Sequence, residues 1–201
     1  MKENPQATAG ATGRSQGARK SREIFDATLD LLADQGYDGL TVEGVALRAG
    51  VNKTTLYRHW PTKGALVRAA LIGAGRLELD VPDTGSLRGD LEALVRQVVS
   101  LLTAPPASDV VVAALGAATR APELADAAAD FFADRLVREQ AVFDRAAARG
   151  ELPADVDPAL VMDLLAGAVW LRVVLRRRPL EPDYPARAVA AVLHGTAPNA
   201  G

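Results

Sequence analysis

The spacing of the apolar residues limits what this chain can fold into more than any other feature. In one well-defined segment Ile24, Ala27, Leu31 and Leu32 recur at helical intervals, which places them on one face of an α-helix. No segment alternates apolar and polar residues with the period of two that a half-buried strand requires. Alanine and leucine are abundant, whereas aromatic residues make up 4% of the chain, and this composition favours helices. The sequence therefore predicts an all-α fold of about nine helices.

Breaks in the helical pattern divide the 201 residues into an arm, two domains and a tail. Residues 1–17 have many small and polar residues and no apolar period, which predicts a disordered arm. Residues 18–64 carry three helical segments and form an N-terminal domain, in which the first helix runs from about Ala18 and ends at Gly36. Residues 65–196 form a larger helical domain, and 197–201 are a tail. The fourth helix is expected from about Thr62 to about Leu79.

Charge and residue content exclude several classes of protein. The formal net charge is -2, but the residues through Lys63 carry nine basic and seven acidic side chains, which weakly favours a nucleic-acid partner for the N-terminal part. There is no cysteine and there are two histidines, and no phosphate-binding glycine loop or metal-ligand spacing occurs. We therefore expect no enzyme activity, no metal and no cofactor. No secretory signal and no uncharged apolar run of membrane length is present, which predicts a cytoplasmic protein without a membrane span.

The segment from Thr41 to Lys63 has the spacing of a helix-turn-helix. Thr41 and Asn52 are N-cap residues for two short helices, Val42 to Ala49 and a second one ending at about His59. Between them Gly50 permits the positive φ of a tight turn. The small Ala46 allows the two helices to cross closely, and Val51 and Leu56 pack the second helix on the first. Trp60 is expected to cover the same core.

One face of the second helix remains free for a partner. Lys53, Thr54, Tyr57 and Arg58 point away from Leu56 and offer donors, hydroxyls and an aromatic ring, which suit phosphates and base edges. Free backbone amides at helix starts favour a phosphate, and Thr41, Asn52 and Lys63 stand at such starts. The alternative is that this polar face only meets water.

The stretch LTVEGVALRAGVNKTTLYRHWPTKGAL, residues 40–66, resembles the DNA-binding domain of the TetR family of transcriptional regulators. The resemblance is strong over about residues 19–67 and further on extends only to the number and order of helices. It implies that Lys53, Thr54 and Thr55 approach bases, and that Thr41, Tyr57, His59 and Lys63 hold phosphates. One departure is Trp60, where phenylalanine is commoner in the family.

The segment from Asp157 to Arg177 is apolar nearly all round, which is typical of a helix buried on more than one side. We expect one face to pack on its own domain and another to meet a second subunit across a twofold axis, as the family resemblance also implies. The residues assigned to this interface are Leu165, Val169, Arg172 and Val173. The alternative is a helix buried entirely within one chain.

Aromatic and large apolar residues in the C-terminal half are candidates for an effector pocket. The family resemblance implies a pocket for a small apolar molecule among the helices of residues 86–178. Its candidate lining residues are Phe131, Phe132, Phe143, Met162 and Trp170, for each of which an ordinary place in the core is the alternative.

Together these features predict a homodimeric transcriptional regulator. We expect a repressor that binds an inverted-repeat operator in double-stranded DNA and is released by a small-molecule effector. Two alternatives remain at this point: a helical protein-interaction module without DNA binding, and a ligand-dependent activator.

Overall fold

The computed structural model describes the backbone of residues 6–153 and 155–196, and the side chains of residues 17–153 and 155–193. This described part is helical and contains no strand, so the predicted all-α class is confirmed. Its α-helices are α1 (Gln6–Gly39), α2 (Val42–Ala49), α3 (Lys53–His59), α4 (Lys63–Gly73), α5 (Leu87–Thr103), α6 (Ala107–Ala118), α7 (Pro122–Ala148), α8 (Pro158–Trp170) and α9 (Tyr184–Thr196). A 3₁₀ turn, Gly75–Leu77, follows α4, and a π-helical turn, Leu171–Leu175, follows α8.

The chain divides into two compact units. The first comprises Met1–Arg76 and Ala113–Ala128, and the second comprises Leu77–Val112 and Ala129–Gly201. The predicted boundary after residue 64 falls earlier than this division. The reason is that α4 packs along α1 and therefore belongs to the first unit.

Helix α1 begins earlier than predicted and breaks where predicted. It starts at Gln6, so residues 6–17 are helical although the sequence predicts a disordered arm there; residues 1–5 lie outside the described residues. Extending an existing helix needs no new nucleus, so the alanines of this segment can continue α1 without an apolar face. At the other end, Gly36 has φ 69° and ψ 177°, which interrupts the helical conformation at the expected glycine.

Helix α4 ends at Gly73 and not at about Leu79, and Gly73 also lies in close contact with α1. A Cβ atom on Gly73 would lie 2.7 Å from the ring of Phe25 on α1, so a side chain there would push the two helices apart. Two glycines flanking Ala74 also disfavour helix continuation, and Ala74 itself is extended.

The core of the second unit forms where α5, α8 and α9 pack against one another. Its buried apolar residues include Leu91, Leu94 and Val95 of α5, Val161, Leu165 and Val169 of α8, and Val189 of α9. Helix α5 is held at its start by Asp90, whose buried carboxylate accepts hydrogen bonds from the backbone N–H (2.6 Å) and the hydroxyl (2.8 Å) of Thr84.

Helix α8 and the turn after it are apolar enough to raise the question of a membrane. Among the described residues, Pro158–Leu175 is an unbroken helix whose length and mean hydropathy of 1.8 would let it cross a bilayer, although it contains the charged Asp163 and Arg172. Only 22% of this segment is buried within the chain. Most of its apolar surface is therefore exposed on the single chain.

Candidate functional site

The turn between α2 and α3 is closed by backbone hydrogen bonds. Gly50 lies in the left-handed region, with φ 61° and ψ 41°. The N–H of Val51 donates to the carbonyl of Ala46 (2.9 Å), and the N–H of Gly50 donates to that of Leu47 (3.3 Å). This pair of bonds is the Schellman arrangement that ends many helices at a glycine. The predicted turn at Gly50 is confirmed.

The two helices of the motif share a small apolar core. Leu56 and Val45 are fully buried and Ala46 nearly so, while Val51 is half-buried. Trp60 follows α3 and contacts Phe25 of α1 edge to face, with 5.4 Å between ring centroids. Because the Leu56 side chain packs α3 into the core of the first unit, the side chains on the opposite face of α3 point away from that core.

That opposite face of α3 is solvent-exposed. Lys53, Thr54, Tyr57, Arg58 and His59 are all exposed, as predicted. Thr55 is half-buried beside Leu56, so it has less surface to offer a partner.

Two of these exposed groups are linked across the motif. The Tyr57 hydroxyl donates a hydrogen bond to the carboxylate of Glu43 on α2 (3.3 Å). Partial burial, followed by the neighbouring Glu43 carboxylate, raises the pKa of Tyr57 above its ordinary value. Tyr57 is therefore a neutral donor that can exchange Glu43 for another acceptor.

Capping side chains hold the starts of α2, α3 and α4. Thr41 Oγ1 accepts from the N–H of Gly44 (3.0 Å), Asn52 Oδ1 accepts from that of Thr54 (2.9 Å), and Thr62 Oγ1 accepts from that of Ala65 (3.1 Å). Both predicted caps, Thr41 and Asn52, are confirmed. Each cap satisfies one amide at its helix start, and at α3 the N–H of Thr55 also donates to the carbonyl of Asn52 (2.9 Å).

Lys63 lies in a cluster that the sequence did not indicate. Its ammonium donates to the carbonyl of Tyr37 (2.7 Å) and lies 4.2 Å from the centroid of that ring. The Tyr37 hydroxyl in turn donates to Glu123 at the start of α7 (2.6 Å). Burial, and then this bond, raise the pKa of Tyr37 far above its usual value. Helix α7 approaches closely here, since a Cβ on Gly64 would lie 2.6 Å from the Glu123 side chain.

Lys20 is a second basic residue with an internal partner. Its ammonium donates to the carbonyl of Ala49 (3.1 Å) at the end of α2 and to Glu23 (3.0 Å). A cation at this position is favoured by the partial negative charge of a helix C-terminus. Lys20 therefore links α1 to the helix-turn-helix formed by α2 and α3.

The second unit contains a cavity of about 260 Å³ between its helices. Four of the five predicted pocket residues line it: Phe131, Phe132, Met162 and Trp170. The prediction for Phe143 is wrong, because this ring is fully buried in the core and does not reach the cavity.

The cavity also holds two charged residues that the sequence analysis did not single out. Arg135 and Glu139 are one helical turn apart on α7, expose 8% and 7% of their surface, and line the cavity. The signal in the sequence was an i, i+4 pair of opposite charges that begins three residues after Phe132. Burial raises the pKa of Glu139 to about 7, and the charge of Arg135 opposes this shift only in part.

The predicted subunit face of α8 requires correction. Leu165 and Val169 are buried in the core of their own unit, so a second chain cannot touch them without unfolding it. Arg172 donates to the carbonyl of Pro179 (3.3 Å) and stacks on Tyr184, and Val173 is half-buried.

The exposed stripe of α8 lies on its other side. Four leucines there each expose between 49% and 75% of their surface: Leu160, Leu164, Leu171 and Leu175. Gly167 lies among them with open space beyond its Cα. The spacing of these five residues places them on one helical face.

Comparisons with known proteins agree with this geometry. The family model for bacterial regulatory proteins of the tetR family matches residues 24–70, and one for the tetracyclin repressor-like C-terminal domain matches residues 81–192. The chain is 29% identical over 187 residues to the HTH-type transcriptional regulator AqdR of Rhodococcus erythropolis, covering 93% of this chain and 90% of that protein.

Two further proteins show the same similarity. The DNA-binding transcriptional repressor TetR of Mycobacteroides abscessus is 33% identical over 184 residues, which cover 89% of this chain and 94% of that one. The crystal structure of the TetR family transcription regulator SCO0332 superposes with a TM-score of 0.72 at 34% identity, covering 88% of this chain and 97% of that chain. Members of this family bind operator DNA, act as dimers and bind small-molecule ligands, and they are regulators rather than enzymes. The chain belongs to the TetR family of helix-turn-helix transcriptional regulators.

Proposed function

We propose that this protein is a cytoplasmic repressor that binds an inverted-repeat operator as a homodimer and leaves it when a small molecule binds. The observation that carries the DNA-binding part is the exposed face of α3, which is held outward by the buried Leu56 and the turn at Gly50. Repressor action is supported by the name of the Mycobacteroides abscessus relative, a DNA-binding transcriptional repressor.

Helix α3 is the element that enters the major groove in this proposal. Lys53 and Thr54 at its exposed N-terminal end contact base edges, with Thr55 at the margin of the contact. Tyr57, Arg58 and His59 lie further along α3 and bind phosphates. Thr41 and Asn52 add phosphate contacts at the helix starts, where unpaired amides favour an anion.

Lys63, a candidate phosphate ligand, already has an internal partner. In this structure its ammonium is bonded to the Tyr37 carbonyl. A lysine offers three donors, so the ammonium can keep this bond and present a second N–H to a phosphate. We therefore assign Lys63 a shared role in holding the motif and in binding DNA.

The second subunit covers the exposed stripe of α8. An apolar surface of four leucines on one helix face is costly to leave in water, and Gly167 in its middle lets a second helix approach closely. A twofold axis through this stripe pairs it with its own copy. Two reading helices related in this way require half-sites centred about 34–36 Å apart, or a multiple of this distance.

The cavity in the second unit is the place for the effector. An effector that binds better to the form of the dimer that does not fit the operator must weaken operator binding by the same factor by which the operator weakens effector binding. The two-unit division of the chain is consistent with one unit for DNA and one for the effector.

Selection of bound sequences from random duplex DNA tests this function. We expect a single inverted repeat, with an affinity that falls steeply as salt is added because phosphate contacts release counterions. Lys53→Ala should weaken binding to the selected repeat by about 10- to 100-fold, whereas the exposed Arg96→Ala on α5 serves as a matched control and should not.

The two alternatives give different outcomes in the same assay. A protein-interaction module would enrich no sequence and would not respond to Lys53→Ala. A repressor lowers, and an activator raises, transcription in vitro from a promoter that carries the selected repeat.

A further inference from the structure

The cavity of the second unit is mostly apolar but has one charged wall. Phe131, Phe132, Met162 and Trp170 supply the apolar lining, and Arg135 and Glu139 of α7 supply the polar part. The volume of the cavity is about 260 Å³. The site therefore suits a small ligand with an apolar body and one polar group.

Arg135 is the group that defines the chemistry of this polar end. The residue exposes 8% of its surface, its guanidinium lies 4.8 Å from the centroid of the Phe131 ring, and its buried Nη1 has no hydrogen-bond partner. Burial, and then the nearby Arg138, lower the pKa of Arg135, but an arginine remains protonated in proteins. A buried cationic donor without a partner is costly, and a ligand acceptor at Nη1 removes that cost.

Glu139 does not supply this acceptor in the structure. No ion pair joins it to Arg135 within the described residues, and burial raises its pKa to about 7, which favours the neutral form relative to an exposed glutamate. A neutral carboxyl donates a hydrogen bond. The cavity wall then offers two donors and one positive charge, which favours an anion.

The other charged groups around Arg135 are already paired or lie in solvent. Arg138 bonds to Asp134 (2.9 Å) and approaches Glu78 (3.8 Å), and Asp163 of α8 is exposed at the cavity rim. None of the three carboxylates donates or accepts a described hydrogen bond with Arg135. Glu139, Asp134 and Glu78 act on the charge of Arg135 from nearby without binding its Nη1, so this nitrogen stays open to a ligand acceptor.

We propose that the effector of this protein is a small apolar carboxylic acid, whose carboxylate binds Arg135 Nη1 and the Glu139 carboxyl while its body packs against Phe131, Met162 and Trp170. This inference rests on the proposed function, since it names the ligand class of the same cavity. A carboxylate matches the planar donor face of a guanidinium, whereas an ammonium would be placed beside a buried cation. The expected effector is thus amphipathic and not purely apolar.

Three probes of matched length test the ligand class on the full-length protein: octanoate, octanamide and octylammonium. Isothermal titration calorimetry should show octanoate binding about tenfold or more tightly than octanamide, because a charged hydrogen bond is stronger than a neutral one. Octylammonium should bind more weakly than octanamide. Equal affinities for the three probes, tighter binding of octylammonium, or no binding of octanoate at millimolar concentration would overturn the proposal.

Variants of α7 locate the charge that is responsible. Arg135→Met, which keeps volume and apolar contact, should bring the affinity for octanoate down to that for octanamide, and Arg135→Lys should keep part of the preference. Arg138→Met is the control, since Arg138 lies three residues further along the same helix and does not line the cavity. It should change octanoate affinity by less than about twofold. An unchanged octanoate preference in Arg135→Met refutes the role of this residue; the ranking of probes on the unmodified protein decides the ligand class even where a variant does not fold.

Operator binding by the unmodified protein separates this inference from the proposed function. A protein that binds its selected repeat but shows no preference for octanoate is a repressor with a different effector class. A protein that prefers octanoate but selects no DNA sequence keeps the ligand assignment and loses the regulatory one.

Discussion

Lys63 and Tyr57 are both candidate phosphate ligands, yet their surroundings differ. The Lys63 ammonium is bonded to the Tyr37 carbonyl and lies over that ring, whereas the Tyr57 hydroxyl makes one exposed bond to Glu43. A charged hydrogen bond and a cation–π contact in a partly buried setting each stabilise a fold measurably. Under the proposed function, Lys63 therefore contributes to both stability and DNA binding, and Tyr57 chiefly to DNA binding.

Lys63→Met should lower the free energy of unfolding by about 1–3 kcal/mol and weaken binding to all duplexes. Tyr57→Phe should weaken DNA binding while changing stability by less than about 0.5 kcal/mol, as is usual for an exposed side chain. Urea unfolding and fluorescence anisotropy on the same preparations measure the two effects. Equal stability of the two variants would contradict the contact of Lys63 with Tyr37.

Glu139 gives the second unit a pH dependence with a definite sign. Its pKa is raised by burial from 4.5 to about 7, so between these values the folded state holds a proton that the unfolded state has released. Stability from this group is therefore complete below about pH 4.5, falls as pH rises towards 7, and is level above it.

Glu139→Gln removes this titration and keeps the shape of the side chain. The stability of the unmodified protein relative to Glu139→Gln should fall by up to about 3 kcal/mol between pH 5 and pH 8. Urea unfolding at a fixed protein concentration measures the difference. A relative stability that stays level over this interval would show that Glu139 is already ionised in the folded protein.

At the scale of elements, the helix-turn-helix depends on the conformation of the turn at Gly50 between α2 and α3. Gly50 is left-handed and a Cβ atom there would meet nothing within 4 Å. Substitution at this position therefore costs backbone strain and not a steric clash. The turn should accommodate a side chain, but the free energy of unfolding should fall because the packing of α2 on α3 depends on this turn.

Gly50→Ala should destabilise the protein by about 1–2 kcal/mol, the cost of the left-handed conformation for a residue with a Cβ. Gly116→Ala is the matched control, since Gly116 lies within α6, also with open space around it, and alanine there should stabilise by about 0.5–1 kcal/mol. Thermal unfolding of both variants compares them. If both variants changed the stability in the same direction, the left-handed conformation would not be the reason for a glycine at position 50.

At the scale of the whole molecule, one side of α8 is buried in the core and the other is exposed. Val169 and Leu165 are buried in the core of the second unit, and in the proposed dimer the exposed leucines contact the second chain. Such a helix is apolar on both sides for two different reasons. Its length and composition would also suit a membrane span. The oligomeric state of the protein in the absence of detergent distinguishes a subunit interface from a membrane span.

Leu164→Asp should give a folded monomer that no longer binds the inverted repeat cooperatively, since a charge in a subunit interface is not compensated. Val137→Asp, also exposed and apolar but on α7, should remain dimeric. Val169→Asp should instead unfold the protein, because the charge enters the core. Light scattering and far-UV circular dichroism measure both properties. A dimeric Leu164→Asp protein, or an unmodified protein that needs detergent to stay in solution, would contradict the assigned face.

Local sequence determined the helical class, the caps at Thr41 and Asn52 and the turn at Gly50, because each depends on residues within a few positions of one another. Tertiary packing decided which side of α8 is buried, since a helix that is apolar all round has no preferred face until its neighbours are in place. It also decided that Lys63 meets Tyr37 and that Arg135 and Glu139 enter the cavity. Periodicity tells which residues share a face, and only the approach of other helices tells what covers that face.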